Sequence, residues 1–266
     1  ESNRRLAQIT QYARQLASSP SLINALARSQ LDEVGLTSRD IILINQIIGF
    51  VSFQARAIAA FHAALGYPVR WIPGMPQQED APEALFVARE SDWQPGLDDA
   101  DLRYADDERQ SLIANWRKHP GLSELAPLLA AQEPPLALQE QLLTHLSDRQ
   151  PFAAQVALIA ARINGSISCF NAWASRCPDL ADLTDALRGN ESGVQPWGDN
   201  PSMERQLLQS VQLLTRAPDR FSAAQLTPLT DYGLSRSAAI DLLAWCGLCG
   251  WMNRLKIALG NVRQET

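Results

Sequence analysis

The chain has 266 residues, 46% of them hydrophobic, and a formal net charge of −6 from 23 basic and 29 acidic side chains. That length supports one large domain or two small ones with a substantial core. Scattered acids without a Lys/Arg stripe argue against a nucleic-acid or anionic-membrane partner. No apolar run approaches the roughly 20 residues of a membrane span, and four cysteines with no secretory signal pattern fit a reducing cytoplasm.

Helical signals dominate, and the predicted class is all-α. Ser19 before Pro20 reads as an N-cap with proline at the first helical position. Thr37 and Asp40 resemble a capping box that opens an apolar run from Ile41 to Leu65, which Gly66 and Pro68 stop. The short stretch Val69 to Ile72 is the best strand candidate. Pro73, Pro76, Pro82 and Pro95, with acids around Asp98 to Asp101, make residues 73–102 a linker or packed loop. Trp71 and Trp93 favour packing. The chain thus divides into an N-terminal helical unit (1–72), this segment, and a C-terminal unit (103–266). In the C-terminal unit Asp148 and Pro151 precede an apolar helix, and residues 188–201 form a second long loop. Asn200 and Pro201 open another helix, and Ser235 caps a last one running to Gly260.

An internal repeat relates the two units. A shift of 198 places residues 31–60 on 229–258 without a gap, with seven identities in 30 positions, against about two by chance. Gly35, Gly49 and Arg56 fall on Gly233, Gly247 and Arg254, and Phe53 falls on Trp251. The shared content is a turn, a cap and a long buried helix in which a glycine permits close approach. A competing shift of 116 lays Gly49 on Gly165 and Ser52 on Ser168, with fewer matches.

The chemistry-bearing stretch is Arg162 to Trp173 (RINGSISCFNAW). An apolar helix runs into Asn164 and Gly165, and a second helix then opens with Ser166, Ser168 and Cys169. A cysteine in the first turn of a helix meets backbone N–H groups and a dipole that favour an anion; the bland reading is a small buried hydrophobe. This layout resembles the AhpD-like family (alkylhydroperoxidase, or carboxymuconolactone decarboxylase-like), whose pattern is roughly N-G-C-x-x-C-x-x-x-H. The helix-then-turn from Glu204 to Pro218 and the closing Asn253-Arg254 to Gly260 resemble its peroxidase-related members, and residues 140–262 carry most of the likeness. In that frame Ser166 replaces the first cysteine, Cys169 keeps the second, Ser168 and Trp173 replace histidines, and Ala154 replaces an acidic relay residue.

The resemblance implies an AhpD-like helical bundle of two related units, a homo-oligomer and a peroxidase-related oxidoreductase. Cys169 would be the sole candidate nucleophile. Ser166 and Ser168 would at most hydrogen-bond the thiolate or the peroxide, and the partner thiol would be either an external reductant or Cys246/Cys249 brought near by folding. The alternative is a non-catalytic small-molecule-binding or scaffold protein, with a pocket near Trp173 and Arg254. Arg56 and Arg254, inside apolar helices, need partners: either a structural ion pair at helix ends or an interface, or an anionic ligand. Cys246 and Cys249 sit mid-helix with no preceding strand and read as core packing. Without nearby histidine they give too few ligands for a metal, and no cofactor is expected. His62, His119 and His145 fall in no catalytic spacing.

Overall fold

The computed structural model describes residues 2–69, 79–98, 105–119, 122–130, 133–146, 150–194 and 203–263. In chain order its α-helices are α1 (Ser2–Ala17), α2 (Ala25–Glu33), α3 (Ser38–Ala64), α4 (Asp107–Trp116), α5 (Leu125–Leu129) and α6 (Glu133–Leu146). These are followed by α7 (Ala153–Asn164), α8 (Ile167–Arg176), α9 (Ala181–Gly189), α10 (Met203–Arg216), α11 (Ala223–Asp231) and α12 (Arg236–Leu259). The class is all-α. Beside the helices, an antiparallel pair of four-residue strands, β1 (Asp92–Pro95) and β2 (Gly260–Arg263), places Trp93 opposite Val262.

Local chemistry explains most helix starts. Thr37 and Asp40 form the expected box: the hydroxyl accepts from the Asp40 N–H at 3.2 Å, and the carboxylate accepts from the Thr37 N–H at 2.9 Å. Ser235 accepts from the Ala238 N–H at 3.1 Å and starts α12. Such caps contribute about 1 kcal/mol each. Ser19 departs from expectation. The Ser19–Pro20 bond is cis, no helix starts there, and Asn24 caps α2 instead. The Ser19 hydroxyl is taken by tertiary contacts, donating to Asn164 Oδ1 at 2.9 Å and accepting from Arg254 at 2.9 Å.

The crossing of α3 and α12 organises the core. Gly49 on α3 receives the indole of Trp251, and Gly247 on α12 receives the ring of Phe53. The two rings meet at 6.0 Å. Residues paired by the 198-residue shift therefore face each other reciprocally. The 116-residue shift pairs unlike positions, because Gly49 lies mid-helix while Gly165 is the left-handed C-cap of α7, at φ 85°.

The arginines buried in this core bind helix ends. Arg254 donates to Ala17 and Ser18 carbonyls at the end of α1. Arg56 donates to the Thr215 carbonyl near the end of α10, Arg28 to Ala258 beside the end of α12, and Arg162 to Leu187 near the end of α9. The last carbonyls of a helix lack intrahelical partners and carry its negative pole. They accept a cation where no carboxylate is needed. The helix-end role foreseen for Arg56 and Arg254 is thus met by carbonyls rather than by an ion pair.

Residues 81–95 are packed rather than free: Ala81, Phe86 and Trp93 are buried. Trp71, the strand candidate beyond Val69, Asp148, and Asn200 with Pro201 lie outside the described residues. The second long loop is shorter than expected, because Arg188 and Gly189 still belong to α9. Contrary to the expectation that no apolar run approaches a membrane span, helix α3 is by length and composition alone apolar enough to cross one, with a mean hydropathy of 1.6 over its best window. Its inner face is buried against α12, while Ile47, Val51 and Phe61 are more than half exposed. The long core helix of a soluble protein passes the same test.

Candidate functional site

The Gly165 turn positions the thiol. Its backbone N–H bonds the Ala161 carbonyl at 3.0 Å, and its positive φ reverses the chain at little cost to a residue without Cβ. Helix α8 then starts against the middle of α12. Ser166 occupies the N-cap position, yet its hydroxyl caps nothing and is buried without a partner. Phe170 anchors the helix edge-on to Phe86 at 5.3 Å. Cys169 and Trp173, one turn apart, share the face that meets α12.

That face closes a small cavity. Cys169, Trp173, Trp245, Leu248, Cys249 and Met252 line it, joined by His119, Leu122, Leu143, Ala157 and Asn253. Its volume is about 30 Å³, room for two or three water-sized molecules at about 10–15 Å³ each. The wall is mostly apolar. Trp173 meets Trp245 edge-on at 6.1 Å, and the Trp245 N–H is satisfied by the Ala153 carbonyl at 2.9 Å.

A buried charge stands beside the thiol. Cys249, Met252, Asn253 and Lys256 recur at the spacing of one helix face. The Lys256 side chain is 1% exposed and its ammonium donates to Glu124 Oε2 at 3.1 Å. It also sits 4.0 Å above the Trp93 ring, whose N–H donates to the Lys256 carbonyl at 2.8 Å. Burial pushes the ammonium below its ordinary range, while the Cys169 sulfur and the Glu124 carboxylate pull it back up. Burial alone would raise Glu124; the Lys256 charge, with hydrogen bonds from Lys256, Ser123 and its own backbone, outweighs it and leaves the carboxyl lowered. On the outer side Arg89, Trp93, Glu124, Ser168, Asn171 and Ser175 line an open cleft. Cys169, the next residue after Ser168, lines the cavity.

The sequence-derived site therefore divides. Cys169 and Trp173 come together, Ser168 faces the cleft, and Ser166 is sealed at the helix start. Arg254 and Arg56 are not among the residues that line the cavity at Trp173. Arg254 lies five residues beyond Cys249, which puts it on the far side of α12. There it meets Arg56 at the Ser19 hydroxyl, next to Cys246, whose sulfur is 3.1 Å from Thr215 Oγ1. Both cysteines of the Cys246/Cys249 pair are buried mid-helix about 60° apart around the axis; Cys249 lines the cavity and Cys246 meets Thr215. His145 is exposed, and His119 is the histidine that reaches the cavity. Among the described residues no three His, Cys, Asp or Glu side chains gather as a metal site.

Glu124 and Lys256 were not picked out by the sequence, whereas Cys249 was read mainly as core packing and His119 as a turn residue. One signal was available: a lysine in an apolar helix, seven residues after a cysteine, shares its face. No family model, curated protein or solved structure matches the chain.

Proposed function

We propose that this protein is a peroxidase-related oxidoreductase of the AhpD-like kind, which reduces a small hydroperoxide at Cys169 and is recycled by an external thiol. The observation that carries the proposal is the placing of Cys169. Its thiol, in the first turn of a helix, lines a small, partly open and mostly apolar cavity near the buried Lys256 ammonium. That cavity gives a small peroxide room against the sulfur. The cavity volume suits hydrogen peroxide or the end of a small hydroperoxide.

In the reaction the Cys169 sulfur attacks one peroxide oxygen. A sulfur–oxygen bond forms, the O–O bond breaks, and the remaining oxygen leaves as alcohol or water once protonated. Sulfur is oxidised by two electrons to a sulfenic acid. An external thiol then displaces the hydroxyl as water, and a second thiol frees Cys169. The apolar stripe of Ile47, Val51 and Phe61 on α3 supports the homo-oligomer that the resemblance implies. The non-catalytic reading is favoured by one feature, the Trp173 ring, which fills the position of the family's second histidine.

The test is peroxide consumption with a dithiol reductant, comparing wild type with Cys169→Ser. Loss of turnover in the variant alone supports the proposal. Equal turnover in both, or none in a wild type whose Cys169 ignores a thiol probe, leaves a binding scaffold.

A further inference from the structure

Two sulfurs from different helices share the cavity. Cys169 is 4% exposed and Cys249 6% exposed; both line the same space of about 30 Å³, where α8 packs directly on α12. The third buried sulfur is excluded by its direction, since Cys246 turns to Thr215, Arg56 and Arg254. The Cys246/Cys249 spacing, which in sequence invites a pairing within the helix, is thus divided between two environments. What the folded chain offers Cys169 is Cys249.

We propose that Cys169 and Cys249 form a redox pair, in which the oxidised Cys169 sulfur is resolved within the chain as a disulfide joining α8 to α12. The inference deepens the peroxidase reading, and it rests on that reading for Cys169 being the sulfur first oxidised. The Cys249 sulfur attacks the Cys169 sulfenic acid. A sulfur–sulfur bond forms, the sulfur–oxygen bond breaks, and the hydroxyl leaves as water with the Cys249 proton. An external dithiol then returns both sulfurs to thiols.

The surroundings assign the two roles. Burial drives the Cys249 thiol well above its ordinary range, and the Cys246 and Cys169 sulfurs push the same way. A protonated buried thiol is a poor first nucleophile, yet it carries the proton that the departing hydroxyl needs. Cys169 has the ammonium of Lys256 nearby instead. The cavity lets a peroxide reach Cys169, and disulfide formation consumes the sulfenic acid before a second peroxide can oxidise it to sulfinic acid.

The test is peptide mapping of the reduced full chain after one equivalent of hydrogen peroxide, with a parallel sample oxidised by diamide. Free thiols are blocked with iodoacetamide before non-reducing digestion. The expected result is loss of two of the four free thiols and one linked pair containing Cys169 and Cys249. In Cys249→Ser or Cys249→Ala, dimedone should trap Cys169 instead, whereas Cys246→Ser should keep the link. A wild type in which Cys249 is fully alkylated while Cys169 carries dimedone overturns the pair; so does a link from Cys249 to Cys246. A diamide-formed link in a protein that consumes no peroxide supports the pair and removes only the peroxidase reading. Sustained turnover with a monothiol while Cys249 stays alkylatable removes only the pair.

Discussion

Replacing Gly49 with alanine tests the α3–α12 crossing. A Cβ at this position would lie 2.0 Å from Cδ1 and 2.5 Å from Nε1 of Trp251, and ordinary contact begins at 3.4 Å. The indole has no room to withdraw. It is 1% exposed, with the rings of Phe50 at 5.7 Å and Phe53 at 6.0 Å. Its N–H donates to Gln46 at 3.0 Å, and Gln46 donates in turn to Gln139 at 2.7 Å. Overpacking of this depth costs about 3 kcal/mol, and stranding the buried Gln46 oxygen adds about 1 kcal/mol. The better helix propensity of alanine returns about 1 kcal/mol. The net loss is about 3 kcal/mol, read by urea unfolding, or a Tm lower by roughly 6–12 °C. Gly247→Ala is the control: its nearest neighbour is the Phe53 carbonyl oxygen at 3.2 Å, so its net change should stay within about 1 kcal/mol. A Gly49→Ala protein as stable as wild type, or a larger loss at Gly247, would refute the packing argument.

Two further expectations concern pH. Tyr12 is 1% exposed and donates to Asn45 at 2.9 Å; burial pushes its phenol from 10.0 up to about 12, against the pull of Asn45 and Arg28. A raised acid stabilises fully below its unfolded value, and that contribution is lost as pH rises through the folded one. Between those values wild type should lose of order 2–3 kcal/mol that Tyr12→Phe does not, and parallel alkaline unfolding curves would contradict this. Glu124 is lowered from 4.5, so its contribution is present above that value and fades as pH falls through the folded one. With the carboxylate 48% exposed, Glu124→Gln should cost about 1 kcal/mol at neutral pH. In acid titrations followed by circular dichroism the gap to wild type should close, and a gap constant down to about pH 3 would show that the Lys256 pair does not stabilise the fold.

The legible part of the structure was the part written in local chemistry and period. The Thr37 box, the Ser235 cap, the Gly66 and Gly165 stops and the long buried helices follow from residues within a turn of one another. The repeat was legible too, because Gly49 and Gly247 share a need that few residues meet. Ser19 misled, since a serine before proline signals a cap only if its hydroxyl has no better partner, and Arg254 and Asn164 supply one. The strands escaped because Asp92 to Pro95 alternates weakly and ends in proline. The charged wall of the site escaped for a different reason. Glu124 and Lys256 are 132 residues apart, and nothing local tells a lysine which carboxylate will follow it inside.

The two faces of α12 explain why a reduced motif need not mean an idle site. One face carries Cys246, Gly250 and Arg254 toward the end of α1, where the guanidinium satisfies carbonyls and the neighbouring thiol is held by Thr215. Substitution there should act through folding alone. The adjoining face carries Cys249, Met252 and Lys256 toward α8. Under the proposed AhpD-like reading, α8 would carry Ser166 in place of a cysteine and Ser168 and Trp173 in place of histidines, so a count of motif residues would leave Cys169 isolated. The fold brings a second sulfur, Cys249, to the same cavity from α12, and buries Lys256, paired with Glu124, about two turns further along that helix. A thiol site requires a sulfur, a charge beside it and a place for the oxidant; which helix supplies each is secondary. The distinction is open to experiment, because changes on the Cys249 face should alter Cys169 chemistry in a protein of near-normal stability, and changes on the Arg254 face should do the reverse.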